Sequence, residues 1–165
     1  MKEVLPVRVV CSALAPNGPQ ADLYVTQAHA LFIDGVLVPA GNLINDITIT
    51  LYEARERNEL EFFHIRFESH DVIYAEGAPV ETLLNVDESA VNFVEYLRRY
   101  GTPKTGETRC VPIISYGGPR RGALKSRMRS AISPWFECRK QVDVIRDRLE
   151  ERGIMLSRQS ALASV

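Results

Sequence analysis

Two apolar segments joined by Asp34-Gly35 restrict the fold of this chain more than any other feature of its sequence. Residues 30–33 read Ala-Leu-Phe-Ile and residues 36–38 read Val-Leu-Val, with Pro39 directly after them. An Asp-Gly pair supplies the positive φ angles that a tight turn between two strands requires. The sequence therefore predicts an antiparallel β-hairpin that ends at Pro39.

The chain changes character near residue 86, from strand-like to helical patterns. Before that point, β-branched or alternating segments predict short strands, at residues 7–14, 23–25, 47–51, 61–67 and 72–75. The last two are expected to pair with each other, and Gly77 and Pro79 to close this part of the chain. After it, apolar residues at helical spacing predict helices, at residues 87–99, 124–132 and 142–152.

Two further details concern the second half of the chain. Residues 110–115 predict a short extended segment, and Gly153 is expected to end the last helix, with a frayed tail from residue 157. Together the patterns predict a mainly β fold with C-terminal α-helices. We expect a β-rich domain at residues 1–86 and a helical extension at residues 87–165.

Composition excludes several functional classes. Of the 165 residues, 45% are apolar and 25% are charged, and the net charge is −1, which is typical of a globular protein without a nucleic-acid or membrane partner. The basic residues between Arg120 and Arg129 carry no interleaved aromatic side chains for base stacking, so they predict a solvated helix face. No signal-peptide core or membrane span is visible, and we expect a cytoplasmic location by default.

The cysteines give no sign of a disulfide framework or of a zinc site. Cys11, Cys110 and Cys138 are far apart and odd in number, and the sequence has no CxxC pair. We expect each of them to be a small buried apolar residue.

A Thr and a His stand three positions apart in Thr26-Gln27-Ala28-His29, directly before the first hairpin strand. An amide resists cleavage because resonance stabilises it and its nitrogen is a poor leaving group. A hydroxyl can hydrogen-bond a twisted peptide while an imidazole delivers a proton to the departing nitrogen. Short motifs often arise by chance, so a strand Thr beside a core His is the competing interpretation.

His70, followed by Asp71, is the second candidate for a functional imidazole. Turns beside strands present side chains to a site, and an antiparallel β fold could bring His70 close to His29. A metal site that adds His64 is a weaker alternative, since six residues of continuous strand separate His64 from His70 by about 20 Å.

Two segments together resemble a known family. Residues 22–40 are similar to the TxxH segment of Hint domains, the hedgehog/intein autoprocessing fold, and most similar to bacterial members with the pattern D-L-x-V-S-P-x-H-A-L-x-x-D-G-V-L-V-P-A. Residues 62–77 resemble the later family segment H-V-x-L-x-x-H-D-x-L-x-A-E-G, and Asn45 also fits. The two segments stand in the family's order, and the resemblance is strong from residue 5 to residue 85.

The resemblance implies a Hint-like β fold and self-catalysed peptide-bond cleavage or protein splicing. In complete members a Cys or Ser that opens the domain attacks its preceding carbonyl in an N–S or N–O acyl shift. Thr26 and His29 would then be the polarising pair and His70 the later imidazole. The resemblance implies no cofactor and no metal.

The opening nucleophile of the family has no counterpart here. Met1 stands only 25 residues before Thr26, and Cys11 lies in a segment that matches a later part of the family pattern. We therefore expect a Hint domain that is incomplete at its N-terminus and inactive by itself. Its expected partner is an N-terminal Hint fragment, or a second copy bound through exposed strand edges. The alternative is a non-catalytic β-rich module for binding or assembly.

Overall fold

The computed structural model describes residues 5–53, 65, 67, 69–82, 98–99, 110–114, 127–131 and 140–163. Within these residues seven strands form two antiparallel sheets, and a long helix follows them. The strands are β1 (Val7–Val9), β2 (Leu23–Val25), β3 (Ala30–Ile33), β4 (Val36–Pro39), β5 (Ile49–Leu51), β6 (Val72–Ala75) and β7 (Ala78–Glu81). A 3-10 turn covers Ala40–Asn42, and the helix, α1, covers Gln141–Ala163. The prediction of a mainly β fold with C-terminal helix is confirmed.

The Asp-Gly hairpin forms as predicted. Asp34 and Gly35 have φ angles of 52° and 81°, and β3 pairs with β4 from Ala30 opposite Pro39 to Ile33 opposite Val36. This hairpin belongs to a four-stranded sheet of order β4-β3-β7-β6, while the other sheet has the order β2-β1-β5. Because both central turn residues adopt positive φ, the turn twists in the sense that the strands require.

Most of the strand predicted at residues 61–67, the expected partner of β6, lies outside the described residues. Ile65 and Phe67 are exposed and lie outside any strand, whereas β6 turns back at Glu76-Gly77 and pairs with β7. Both turn residues again have positive φ, 49° and 77°. Gly77 therefore opens a second hairpin instead of closing the region, and Pro79 lies within its return strand, opposite Tyr74.

One apolar core joins both sheets and the helix. Its fully buried members include Val7, Val9, Leu31, Val38, Ile49, Val142, Ile145 and Leu149. Burial of side chains this size contributes about 1.5–3 kcal/mol each relative to exposure. The helix therefore packs on the strands, although separate folding of residues 1–86 stays a prediction.

The helix extends beyond its predicted end. Gly153 lies inside α1, and a Cβ atom there would stand 3.1 Å from Thr48 Oγ1 and 3.3 Å from Ile47 Cγ2. Glycine is present because the helix backbone approaches the loop before β5, not because the helix stops. The segment from residue 157 to residue 163, expected to fray, is helical.

Other predicted elements are only partly within the described residues. Arg98 and Arg99 are helical, as are residues 127–131, and the rest of the helices predicted at 87–99 and 124–132 lies outside them. Of the extended segment predicted at 110–115, residues 110 and 111 form a bend and Ile113 bridges Leu37 in parallel, while residue 115 lies outside the described residues. Two cysteines differ from expectation, since Cys11 and Cys110 are exposed. Cys138 lies outside the described residues.

The tip of the first hairpin is attached to α1. The side chain of Gln141 donates a hydrogen bond to the Asp34 carbonyl at 3.0 Å, and Arg148 forms an ion pair with the Asp34 carboxylate at 2.9 Å. These contacts are about two turns apart along the helix. They fix the direction in which α1 crosses the strands.

Asn45 connects the loop before β5 to α1. Its side-chain oxygen accepts hydrogen bonds from the backbone N–H groups of Ile47, Thr48 and Ile49 at 2.9–3.0 Å. Its side-chain nitrogen donates to the Leu149 carbonyl at 3.3 Å. A buried amide thus supplies an acceptor to three backbone donors and a donor to the helix.

We expect Asn45→Ala to lower the free energy of unfolding by about 2–3 kcal/mol, because it leaves buried N–H groups without an acceptor. Asn45→Asp retains the acceptor and loses the bond to the helix, so its effect should be smaller. Chemical denaturation of both variants checks the difference, with Ser157→Ala on the exposed side of α1 as the control. Equal stability of Asn45→Ala and the wild type would contradict this account.

Arg8 and Asp22 join β1 to the chain before β2. Arg8 Nε lies 2.8 Å from Asp22 Oδ2, and the Cys11 amide donates to Asp22 Oδ1 at 2.9 Å. Burial alone would raise the pKa of the Asp22 carboxyl, but the Cys11 amide and the Arg8 guanidinium together lower that pKa below its usual value. The charged form is therefore the one that the fold favours.

The Asp22 contribution to stability should depend on pH. Since the folded pKa is below the unfolded value of about 3.9, the contribution is complete above that value and is lost as the pH falls through the folded pKa. Asp22→Asn resembles the protonated state at every pH. The stability difference between wild type and Asp22→Asn should therefore shrink when denaturation is measured below about pH 4, and a difference independent of pH would refute this assignment.

Among the described residues, none of the helices combines the length and the apolar character needed to cross a membrane.

Candidate functional site

The Thr26–His29 segment forms a tight turn between β2 and β3. The His29 amide donates to the Thr26 carbonyl at 3.1 Å, and both residues are half-buried. The Gln27 side chain donates to the carbonyl of Leu5 at 2.9 Å, so the chain enters the fold beside this turn.

The 3-10 turn after β4 supports the Thr26–His29 turn through backbone contacts. The amides of Ala40 and Gly41 donate to the carbonyls of His29 and Gln27, each at 2.9 Å. A Cβ atom on Gly41 would stand 3.1 Å from Gln27 Cβ and 3.2 Å from its carbonyl oxygen. The close approach of the two turns therefore favours glycine at position 41.

His70 lies two residues before β6, and its side chain has an exposed fraction of 0%. The Cys110 amide donates to Nδ1 at 3.2 Å, so this nitrogen carries a lone pair. A neutral imidazole with an acceptor at Nδ1 carries its proton at Nε2. Among the described residues Nε2 is buried without a hydrogen-bond partner, and a carboxylate oxygen, Glu81 Oε2, lies 3.6 Å away.

Glu81, the last residue of β7, connects His70 to the start of β3. Its other oxygen, Oε1, accepts a hydrogen bond from the Ala30 amide at 2.7 Å. Ala30 directly follows His29, and it lies opposite Glu81 because Leu31 pairs with Val80 in the antiparallel β3–β7 ladder. One carboxylate thus reaches the residue after His29 and the imidazole of His70.

The four-stranded sheet brings the two sequence motifs to the same end. Asp71 and Thr82 exchange backbone and side-chain hydrogen bonds there, with the Asp71 amide on Thr82 Oγ1 at 2.8 Å and the Thr82 amide on the Asp71 carbonyl at 2.9 Å. Since neighbouring strands lie about 4.8 Å apart, β7 separates the starts of β3 and β6 by about 10 Å. His29 and His70 are therefore neighbours across one intervening strand.

Two members of this arrangement have no signal in the sequence. Glu81 follows a proline-containing segment that predicts no strand, and the Cys110 contact uses a backbone amide. The sequence also predicted that a turn presents His70, whereas Asp71 is exposed and His70 is enclosed. Chemical roles for Thr26, His29 and His70 stay predictions.

Metal binding receives no support from the described part of the chain, where no three His, Cys, Asp or Glu residues are grouped as ligands. His64, the remaining member of the weaker alternative, lies outside that part.

Comparison with known proteins bears on residues 1–87, which a family model described as "Hint domain" matches. No curated protein and no solved structure matches the chain. The matched region is more than half of the 165 residues and contains both the Thr26–His29 turn and His70. The chain therefore belongs to the Hint-domain family.

Proposed function

We propose that this chain supplies the assisting residues of a Hint-type acyl shift, and that the nucleophile comes from an N-terminal Hint segment. Thr26 and His29 contact the scissile peptide, and His70 supports them from within the protein. The chain by itself is then inactive, because no arrangement of Thr and His replaces the attacking group.

The reaction exchanges one bond to a carbonyl carbon for another. The sulfur of a Cys, or the oxygen of a Ser, forms a bond to the carbon of the preceding peptide, and the carbon–nitrogen bond breaks. The proton lost by the nucleophile is balanced by the proton that the departing nitrogen takes up. The Thr26 hydroxyl hydrogen-bonds the distorted peptide, and the His29 imidazole protonates the nitrogen.

The observation that carries the proposal is the position of Glu81 between the two motifs. Its carboxylate accepts the Ala30 amide beside His29 and lies 3.6 Å from the buried imidazole of His70. A motif that occurs by chance would not be expected to share a carboxylate with the second family segment.

The position of Leu5 supports an N-terminal origin of the nucleophile. The Leu5 carbonyl is held by the side chain of Gln27, which lies between Thr26 and His29. Leu5 therefore lies beside the proposed assisting residues.

A fusion protein tests this function. A reporter protein, a Hint N-terminal segment with its Cys and the full chain are joined in that order, and hydroxylamine is added to trap a thioester. We expect cleavage between reporter and Cys, because hydroxylamine attacks the thioester that the acyl shift forms there. His29→Ala should slow cleavage by at least about 100-fold, since a positioned proton donor contributes about 10²–10⁴-fold. Thr26→Ala should slow it by at least about tenfold, since it removes a hydrogen bond to the distorted peptide.

The controls separate chemistry from folding. The nucleophile variant Cys→Ala should abolish cleavage in the fusion, and the chain without the added segment should release nothing. Circular dichroism confirms that each protein is folded. An intact reporter in a folded fusion would reject the acyl-shift function and favour the non-catalytic binding module.

We further propose that an exposed strand edge receives a partner. β6 is an edge among the described strands, and Tyr74 on it is 77% exposed. An unpaired edge can accept another strand from a Hint fragment or from a second copy. Light scattering should detect self-association of the chain, reduced by Tyr74→Lys, and a monodisperse wild-type monomer would contradict self-association through this edge.

A further inference from the structure

A partly buried carboxylate faces a buried imidazole at the end of the four-stranded sheet. The His70 side chain is fully enclosed and the Glu81 side chain is 16% exposed. Buried polar atoms usually have hydrogen-bond partners, and an exception requires an explanation. Nε2 of His70 is such an exception among the described residues, and it faces Glu81 Oε2 at 3.6 Å.

The hydrogen bond at the other ring nitrogen, Nδ1, determines whether Nε2 of His70 carries a proton. The Cys110 amide donates to Nδ1, so a proton at Nδ1 would face another N–H donor. The imidazole is therefore held with its proton at Nε2, directed toward an acceptor. A shortening of less than 1 Å would turn the Nε2–Oε2 contact into a hydrogen bond of ordinary length.

Glu81 is at the same time fixed from its other side. Oε1 accepts the Ala30 amide at 2.7 Å, which is a short bond to a charged acceptor. The carboxylate therefore has one oxygen for the first residue of β3 and one for His70. A neutral amide in its place has a single acceptor oxygen and cannot serve both donors.

We propose that Glu81 is a positioning residue of this site, which holds His70 with its proton at Nε2 and fixes the start of β3 next to His29. The role of Glu81 in cleavage rests on the proposed acyl shift. Its hold on the His70 imidazole does not, because that hold concerns only groups within this chain.

Nitrogen NMR of the full chain tests the hold on His70 directly. The ring ¹⁵N signals distinguish a proton at Nε2 from a proton at Nδ1, and wild-type His70 should show the proton at Nε2. In Glu81→Gln, the amide oxygen bonded to Ala30 leaves an NH₂ group opposite Nε2. We expect the proton to leave Nε2 in a measurable fraction of molecules, with changed amide shifts at Cys110 and Ala30.

Glu76→Gln is the matched control, because Glu76 is an exposed glutamate in the turn of the same β6–β7 hairpin. It should leave the His70 signals unchanged. Unchanged His70 and Cys110 signals in Glu81→Gln would overturn the proposal. So would a wild-type His70 with its proton at Nδ1, a result that needs no variant and holds even if Glu81→Gln fails to fold.

The fusion protein tests the positioning role in the reaction. Glu81→Gln should slow cleavage by about tenfold or more, because one buried donor loses its acceptor, while Glu76→Gln keeps the wild-type rate. An active fusion that Glu81→Gln does not slow overturns the positioning role. An inert wild-type fusion rejects the acyl shift instead, and the NMR result still decides whether Glu81 holds His70.

Discussion

The register of β3 between β4 and β7 is the constraint on which the rest of the site depends. Ala30 lies opposite Pro39 on one side, and Leu31 lies opposite Val80 on the other. A slip of one residue in either ladder would turn each side chain to the opposite face of the sheet. The Glu81 carboxylate would then no longer reach the Ala30 amide, and the turn after β4 would lose its contacts with Gln27 and His29. The two hairpin turns, at the other end of the sheet, set the β3–β4 and β6–β7 registers, and the β3–β7 ladder places Glu81 beside Ala30.

Local chemistry was sufficient to predict part of the fold. Asp34-Gly35 predicted the first hairpin because positive φ angles are a local requirement, and the residues that satisfy it are few. The second hairpin was missed because Glu76 is an uncommon residue at positive φ and Pro79 resembles the end of a strand. A proline within a strand, however, removes only one backbone N–H donor, so a strand can continue through it. Gly153 was misread for a related reason, since a glycine that ends a helix and a glycine that permits close packing look identical in a sequence.

Sequence motifs predict only some of the residues in the candidate site. Residue type and the resemblance to family segments single out Thr26, His29 and His70 as candidates, and the matching family model covers the same residues. Glu81 could not be found in that way, because its importance arises from the pairing of strands about fifty positions apart in the sequence. The amide of Cys110 is still less visible, since every residue type except proline offers the same donor. Contacts made by the backbone leave no signature in the identity of a residue.

The attachment of the Asp34-Gly35 tip to α1 has a consequence for engineering and for evolution. Exposed two-residue turns are ordinarily the places where a chain accepts an inserted peptide or new termini. Here Gln141 and Arg148 bind the carbonyl and the carboxylate of Asp34, so an insertion would separate the hairpin from a helix more than one hundred positions away. The Glu76-Gly77 turn is also in use, because the Gln20 amide donates to the Glu76 carbonyl at 2.6 Å. Both hairpin turns therefore make contacts with distant segments, and a peptide tag or a circular permutation would be better placed elsewhere.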